Sequence, residues 1–322
     1  MLNAQQWHTT IEVRVPAAKR MPRKAGNLLL VNNTTRQPDD WGHWYIQSSS
    51  AHQMEYSTEK CPVYCLFGLQ QAFDDSECFD AISILDRTEN NSSQPFSKEL
   101  LTHQKVDSLC RLYDTEAVMS LDQLLVNDVS ELYQTAHGTF YAYLQVVEFT
   151  SWSITYTDGK TIQHTQSDTL LWEAEQDTPE KAIAALPERQ QAAEDMAMYV
   201  GELVGKLFTP QWQKRDRYFY ENNDANISKG MREYTHTHFR QAALFWKQAA
   251  ETTGNNRKAK QTRAYAYANL AALYESEGDI SSAIDYARKA FDAFNILPTG
   301  EGRQQTVNMY HYIEELKTET KR

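Results

Sequence analysis

The sequence lacks the marks of a membrane span, a disulfide scaffold and a nucleic-acid surface. No apolar run approaches the roughly 20 residues that a bilayer requires. Four cysteines in 322 residues, Cys61, Cys65, Cys78 and Cys110, are far too few for a small stapled fold. Basic side chains are also in deficit, with 32 Lys and Arg against 43 Asp and Glu and a net charge of −11. A phosphate-binding footprint would have to be built against that field, so nucleic acid is not an expected partner. The one basic cluster, Arg14 through Lys19-Arg20 to Arg23-Lys24, is broken by Pro16 and Pro22 and reads as a solvated connector.

Catalytic signatures are missing as well. A dinucleotide or phosphate-loop site needs a glycine-rich turn after a strand, and after Val31 the chain offers Asn32-Asn33-Thr34-Thr35. There is no Gly-x-Ser-x-Gly elbow, and Gly201-x-x-x-Gly205 sits inside a helical pattern beside Glu202 and Lys206, as a close-packing feature. Cys61 and Cys65 are one helical turn apart, but a zinc site wants four ligands. His236-x-His238 is distant in sequence, with its two rings expected on different helix faces. Cys65 therefore reads as a core residue beside Leu66, Leu69 and Phe73. The acidic runs Asp74-Asp75-Ser76-Glu77 and Asp39-Asp40 lack the spacing of a calcium loop and read as solvated turns. No catalytic residue, metal or cofactor is expected; an enzyme reading would have to rest on His137, His164 or the acidic loops in a cleft between domains.

What is present divides in two. Residues 1–221 read as a mixed-sheet α/β domain and residues 222–322 as a small all-α domain, an α+β or α/β fold class followed by helices. Leu28 to Val31 is a short buried strand, followed by a long loop carrying Trp41, Trp44 and Tyr45. A helix then spans about Glu59 to Phe73, and Ala81 to Leu85 is the second strand. Ser97 is placed to cap a helix burying Leu101, Val106, Leu109 and Leu112, and Ala117 to Leu121 is the third strand. Phe140 to Tyr156 and Thr161 to Trp172 alternate around Asp158-Gly159 as a hairpin. A helix carrying Met196, Val200, Leu203, Val204 and Leu207 ends before Pro210, and Trp212 to Tyr220 alternates as a last strand. Arg215 and Arg217 share one face of that strand, with Tyr218 and Tyr220 on the other. The aromatic loop and this arginine pair are the candidate partner-binding residues; surface arginines beside helices also make structural ion pairs.

In the last third, Tyr267, Leu270, Ala271 and Tyr274 fit a first helix, Gly278 falls at the turn, and Ala283, Ala287 and Ala290 fit a second helix. Small side chains at these positions let backbones approach closely. Ala242, Trp246 and Ala249 repeat the small-aromatic-small spacing of an earlier second helix, after a weaker first helix from about Asn226 to Thr237. Val307, Tyr310, Ile313 and Leu316 suggest a final amphipathic cap. This stretch resembles a tetratricopeptide repeat, with Ala271 for the usual glycine, Ala287 for the usual aromatic and no proline until Pro298.

The strands from Leu28 to Asn33 and Ala117 to Asp122, the hairpin, and Phe208-Thr209-Pro210-Gln211-Trp212 running on to Arg217-Tyr218-Phe219-Tyr220 carry a second resemblance. Together they look like a Bacteroidetes family of cell-envelope lipoproteins of unknown function, in which an α/β domain similar to the amino-terminal domain of TolB precedes tetratricopeptide helices. The resemblance implies a non-catalytic interaction or scaffold protein of the periplasm or outer membrane, with protein partners. Met1 to Gln6 has neither the basic start nor the apolar core of a secretory signal. The missing lipidation cysteine is the departure from the family, so membrane attachment is expected only through an anchor this sequence does not carry, and a cytoplasmic location stays open.

Overall fold

A computed structural model describes residues 5–19, 26–47, 50–76, 78–85, 88–90, 92–297 and 300–320. Arg20, Pro22, Arg23 and Lys24 of the basic connector, Glu77 of the acidic run and Pro298 lie outside these residues. The elements run β1 (Gln5–Val15), β2 (Asn27–Asn32), β3 (His43–Gln47), β4 (Ser50–Gln53), α1 (Cys61–Asp74), β5 (Ala81–Leu85), α2 (His103–Tyr113), β6 (Ala117–Gln134), β7 (Phe140–Tyr156), β8 (Thr161–Gln176), α3 (Pro179–Ala184), α4 (Arg189–Phe208), β9 (Gln211–Glu221), α5 (Ala225–Thr235), α6 (Phe239–Ala250), α7 (Arg257–Ser276), α8 (Ile280–Asn295) and α9 (Gly300–Thr320). They form two compact units, one of Lys19–Thr209 and one combining Met1–Ala18 with Pro210–Arg322.

The first unit is a mixed sheet built on β6, β7 and β8, long antiparallel neighbours. Asp158-Gly159 turns β7 into β8, with Gly159 at φ +86, a value that favours glycine. On the other edge of β6, β2 runs parallel to Ala117–Leu121 and β3 runs parallel to Asp128–Leu132. β5 extends the sheet beyond β2, and β4 beyond β3. Leu28 and Leu30 face α1 and α4, while Leu29 and Val31 face α2, so β2 is buried on both sides and reads as a continuous apolar run. The mixed sheet flanked by helices is the fold class that the strand and helix order implies.

Helices α1 and α4 meet almost backbone to backbone. A Cβ added at Gly201 would lie 1.9 Å from the Cys65 carbonyl oxygen, one at Gly68 1.9 Å from that of Met198, and one at Gly205 2.5 Å from the Ala72 Cβ. The glycine pair thus serves close helix packing within this unit. Cys65 is fully buried in the same cluster as Leu66, Leu69 and Phe73.

Several boundaries differ from the sequence reading. Trp44 and Tyr45 belong to β3 and not to a loop, because β6 runs on to Gln134 and offers a parallel edge at Asp128–Leu132. Helix α2 starts at His103 with Thr102 as its cap, the Thr102 hydroxyl accepting from the Lys105 amide at 3.3 Å, and Leu112 is 70% exposed. Ser97 precedes it without capping it.

The second unit joins a two-stranded antiparallel ribbon to helices packed in succession. β1 pairs with β9 from Gln5 opposite Glu221 to Val15 opposite Gln211. Ile11, Val13, Val15, Phe219 and Tyr220 enter one core with Ile227, Met231, Trp246, Tyr265 and Leu270. The sequence reading has no strand at β1, whose partner is two hundred residues away, and it joins β9 to the larger sheet. Tyr220 is buried at 2% exposure against Tyr265, whereas Tyr218 is 43% exposed, so the two tyrosines do not share an open face.

The residues read as repeat packing lie where close approach is needed. Ala242, Trp246, Ala249, Leu270, Ala271, Ala283, Ala287 and Ala290 are all buried. A Cβ at Gly230 would lie 2.3 Å from the Trp246 ring nitrogen. Gly278 takes φ +79 at the α7–α8 turn, and Asp279 caps α8 by accepting from the Ser282 amide at 3.0 Å. Tyr274 stacks on Tyr286 with centroids 5.4 Å apart, and Tyr267 is tilted over the same ring at 6.3 Å. In α9 the inward stripe is Met309, Tyr312, Ile313 and Leu316, while Val307 and Tyr310 are 50% and 54% exposed. The stripe is turned from the expected one because α9 packs on α8 and places Tyr312 against Glu275 of α7. His236 and His238 fall between α5 and α6, where their rings stack at 6.3 Å instead of diverging on a helix.

Candidate functional site

The order of strands locates the candidate site. From β2 the chain first forms the β3–β4 pair beyond β6, then passes through α1 to β5 on one side of β2 and returns through α2 to β6 on the other. Crossovers of one hand that go opposite ways put their helices on opposite faces and leave a crevice outside the carboxyl ends of the diverging strands. Here that crevice is a polar cleft. One lobe, about 260 Å³, is lined by Asn32, Thr34, Arg36, Thr58, Glu59 and Asn90 among others; a second, about 550 Å³, by Asn33, Glu89, Glu99, Thr102 and Lys105. Asn90 and Ser92 line both lobes. Asn32 and Asn33 serve different lobes because successive strand residues alternate faces.

Side-chain amides hold this end of the sheet together. Between the stretches of β6 that pair with β2 and β3, the backbone of Val126 is met by Gln37. Its Oε1 accepts from the Val126 amide at 2.8 Å, and its Nε2 donates to the Val126 carbonyl at 2.8 Å and to that of Trp41 at 3.0 Å. A single glutamine thus fills a missing rung in the ladder, leaving both buried backbone groups satisfied. Asn33 donates through Nδ2 to the Glu99 carbonyl at 2.5 Å and to Asp122 Oδ1 at 3.2 Å. Asn90 Nδ2 donates to the Asn33 carbonyl at 3.1 Å, and Asn32 Oδ1 accepts from the Thr34 amide and hydroxyl.

Asp122 sits at a register shift in β6, between Leu121 and Gln123, where a bulge re-aims the side chain. It is fully buried, accepts from the Ser120 hydroxyl at 2.6 Å, and its Oδ2 meets no hydrogen-bond partner. Burial raises its pKa, against the opposing hydrogen bonds of Ser120, Ser153 and Asn33 and the charge of Lys98. The amino end of α1 borders the cleft, but its first amides are already engaged. The Cys61 amide donates to the Thr58 carbonyl, those of Val63 and Tyr64 donate to Lys60, and Pro62 has none. That end offers no open anion cradle.

Beside the cleft lies a buried polar knot. His43 Nδ1 and Asp128 Oδ1 are 2.5 Å apart at zero exposure, Tyr56 donates its hydroxyl to Asp128 Oδ1 at 2.9 Å, and Arg189 reaches Asp128 Oδ2 and the Trp44 carbonyl. Burial first, then the charge of Asp128, pushes the Tyr56 pKa up. Sequence reasoning gave no signal for this set, since its members are spread from residue 43 to residue 189.

The aromatic residues singled out from sequence are placed separately. Trp41 is 38% exposed and tilted over Phe96 at 4.7 Å; Trp44 is 43% exposed and Tyr45 half-buried on β3. Arg215 and Arg217 lie on β9 and are engaged. Arg217 donates from Nε and Nη2 to the two Glu275 oxygens at 2.7 Å each, Tyr312 donates to Glu275 at 2.6 Å, and Glu315 lies 3.3 Å from Arg215 and 3.2 Å from Arg217. Burial works against the charge on Arg217, and Glu275 more than restores it, raising its pKa. His137 is exposed in the β6–β7 turn, and His164 on β8 is 2.6 Å from Lys19 Nζ, so the two do not converge with the cleft carboxylates. No group of three or more His, Cys, Asp or Glu able to hold a metal occurs among the described residues. No described helix is long and apolar enough to cross a membrane.

Comparison with known proteins finds two family matches. The domain of unknown function DUF8603 matches residues 25–220, and the domain of unknown function DUF6340 matches residues 228–318. No curated protein matches the chain. Among solved structures the chain is similar to rare lipoprotein B from Shewanella oneidensis, at 8% identity over 55% of this chain and 89% of that one, with a TM-score of 0.25. It is similar also to a Xanthomonas campestris protein of the DUF330 family, at 9% identity over 59% of this chain and 85% of that one, again with a TM-score of 0.25. With a match that spans well over half its length and takes in both lobes of the cleft, the chain belongs to the DUF8603 family.

Proposed function

We propose that this protein is a non-catalytic interaction and scaffold protein whose recognition site is the cleft at the carboxyl ends of β2 and β5, beside the stretch of β6 around Leu124. The carrying observation is the lining itself. Most of its polar side chains, Asn32, Asn33, Thr34, Thr58, Asn90 and Ser92 among them, are amides and hydroxyls that suit a ligand held by hydrogen bonds and do not ionise near neutral pH. General acid–base or nucleophilic work would fall to Glu59, Glu89 and Glu99, and the described linings of both lobes place no histidine or cysteine beside them.

The helical unit fits the scaffold half of this reading. Its buried alanines at 271, 283, 287 and 290 and the glycine turn at 278 support a tetratricopeptide-like pairing of α7 and α8. The face of α5 and α7 that such a pair would offer to a partner is covered by the β1–β9 ribbon, so it braces its own unit. Protein partners are left the outward helix faces, where Leu244, Val307 and Tyr310 are exposed. Placement in the cell envelope is supported by the sequence resemblance to envelope lipoproteins, and cell fractionation tests it, with recovery in the cytosol removing that part.

The cleft is tested by nuclear magnetic resonance on the full chain with a set of small polar fragments. Shifts confined to the side-chain amides of Asn32, Asn33 and Asn90 are expected. A set that leaves all three unmoved overturns the assignment of the recognition site.

A further inference from the structure

We propose that the cleft takes a small hydroxylated ligand carrying a protonated amine; this rests on the cleft being the recognition site and adds the ligand's chemical class. The reasoning starts from hydrogen-bond supply. Asn33 has both amide hydrogens committed, one to the Glu99 carbonyl and one to Asp122, and those two acceptors fix which end of the amide faces them. Its Oδ1 accepts from no described residue, which leaves an acceptor on a side chain that lines the larger lobe. Asn32 Oδ1 and Nδ2 and Asn90 Oδ1 are engaged locally, so the lobes are joined by fixed amides and hydroxyls, and not by mobile charged arms.

The charge count points the same way. Each cation on the lining is already paired, Arg36 with Asp39 at 2.7 Å and Lys105 with Glu89. Glu59 and Glu99 line the two lobes, both are exposed, and neither has an ion-pair partner among the described residues. Behind Asn33, Asp122 keeps Oδ2 without a partner at full burial, and the exposed Lys98 is the cation whose charge reaches it. A cleft with acceptors and unpaired carboxylates, opening on a chain of net charge −11, concentrates cations over anions. The engaged amides at the start of α1 remove a feature that would favour an anion. Hydroxyl and amide rims suit a ligand that itself bears hydroxyls, each able to donate and accept.

Glucosamine and glucose are the probes, matched in size and differing by one amine in place of one hydroxyl. Isothermal titration of the full chain at low ionic strength is expected to show glucosamine binding about tenfold tighter than glucose, a preference that shrinks as salt is raised. The double variant Glu59→Gln, Glu99→Gln changes only exposed side chains, so its fold is retained, and it is expected to lose about fivefold in glucosamine affinity with glucose unchanged. Equal affinity for the two sugars overturns the amine assignment and leaves the cleft as the recognition site. If neither sugar binds while neutral polar fragments still shift the cleft amides, the ligand class is again overturned. Silence from sugars and fragments alike removes the cleft reading itself.

Discussion

At the scale of single residues, two buried amides stand in for strands. Gln37 pairs both backbone groups of Val126, and Asn269 of α7 does the same for Tyr220, accepting from its amide at 2.8 Å and donating to its carbonyl at 2.9 Å. Replacing either by an apolar residue of similar size strands two buried backbone groups, each costing about 1–3 kcal/mol. Gln37→Leu and Asn269→Leu are therefore expected to lower stability by about 2–6 kcal/mol in urea unfolding, and a loss under about 0.5 kcal/mol would show that water replaces the amide. Glu148 is the opposite case. It is fully buried on β7, neither carboxyl oxygen meets a donor in good hydrogen-bond geometry, and burial raises its pKa well above the usual carboxylate value, with the nearby Cys65 thiol opposing the shift. A carboxyl whose folded pKa is raised contributes its stability fully below the unfolded value, and that stability is lost as pH climbs toward the folded one. The stability of Glu148→Met relative to the parent should rise as pH climbs above about 4, by at most about 1.4 kcal/mol per pH unit. Parallel stability curves from pH 4 to 8 would contradict the assignment.

Among elements, the α1–α4 contact shows what spacing can and cannot reveal. Gly201-x-x-x-Gly205 is legible as close packing, and Gly201→Ala, which drives a methyl into the Cys65 carbonyl, should cost about 2 kcal/mol or more. A melting temperature unchanged by Gly201→Ala would mean the helices can slide apart. The long hairpin, the buried β2, helix α4 and the α7–α8 pair are legible for the same reason. Each carries its own period and its own stop, such as Asp158-Gly159 or Gly278. β3 is not legible, because Trp44 and Tyr45 become a strand only where β6 supplies an edge at Asp128. The cleft was legible only in its parts. Asn32 and Asn33 follow a strand visibly, but Glu99, Asp122 and Asn90 reach them through chain order and a bulge that no local pattern announces.

For the molecule as a whole, the decisive connection is the one farthest apart in sequence. β1 belongs with residues 210–322, so the chain begins in one compact unit, builds the other, and returns. A domain boundary placed at residue 221 follows chain order, whereas the compact units follow packing, which assigns the ribbon to the helices. The Ile11-x-Val13-x-Val15 alternation was readable as a strand, but its partner β9 has no local turn to point to it. Each of those three apolar side chains contributes about 1.5–3 kcal/mol when fully buried, and all three share one core with Phe219 of β9. Ile11→Ser combined with Val13→Ser should therefore release protection where the ribbon lies. Amide hydrogen exchange in β9 and α7 is expected to accelerate by at least about a hundredfold, while β6, β7 and β8 keep the rates of the parent. Acceleration spread evenly over both units would show that they unfold as one, and acceleration confined to β1 would show that the helices do not depend on the ribbon. The expected pattern, with the change confined to one unit and carried across about two hundred intervening residues of chain, follows from the β1–β9 register alone.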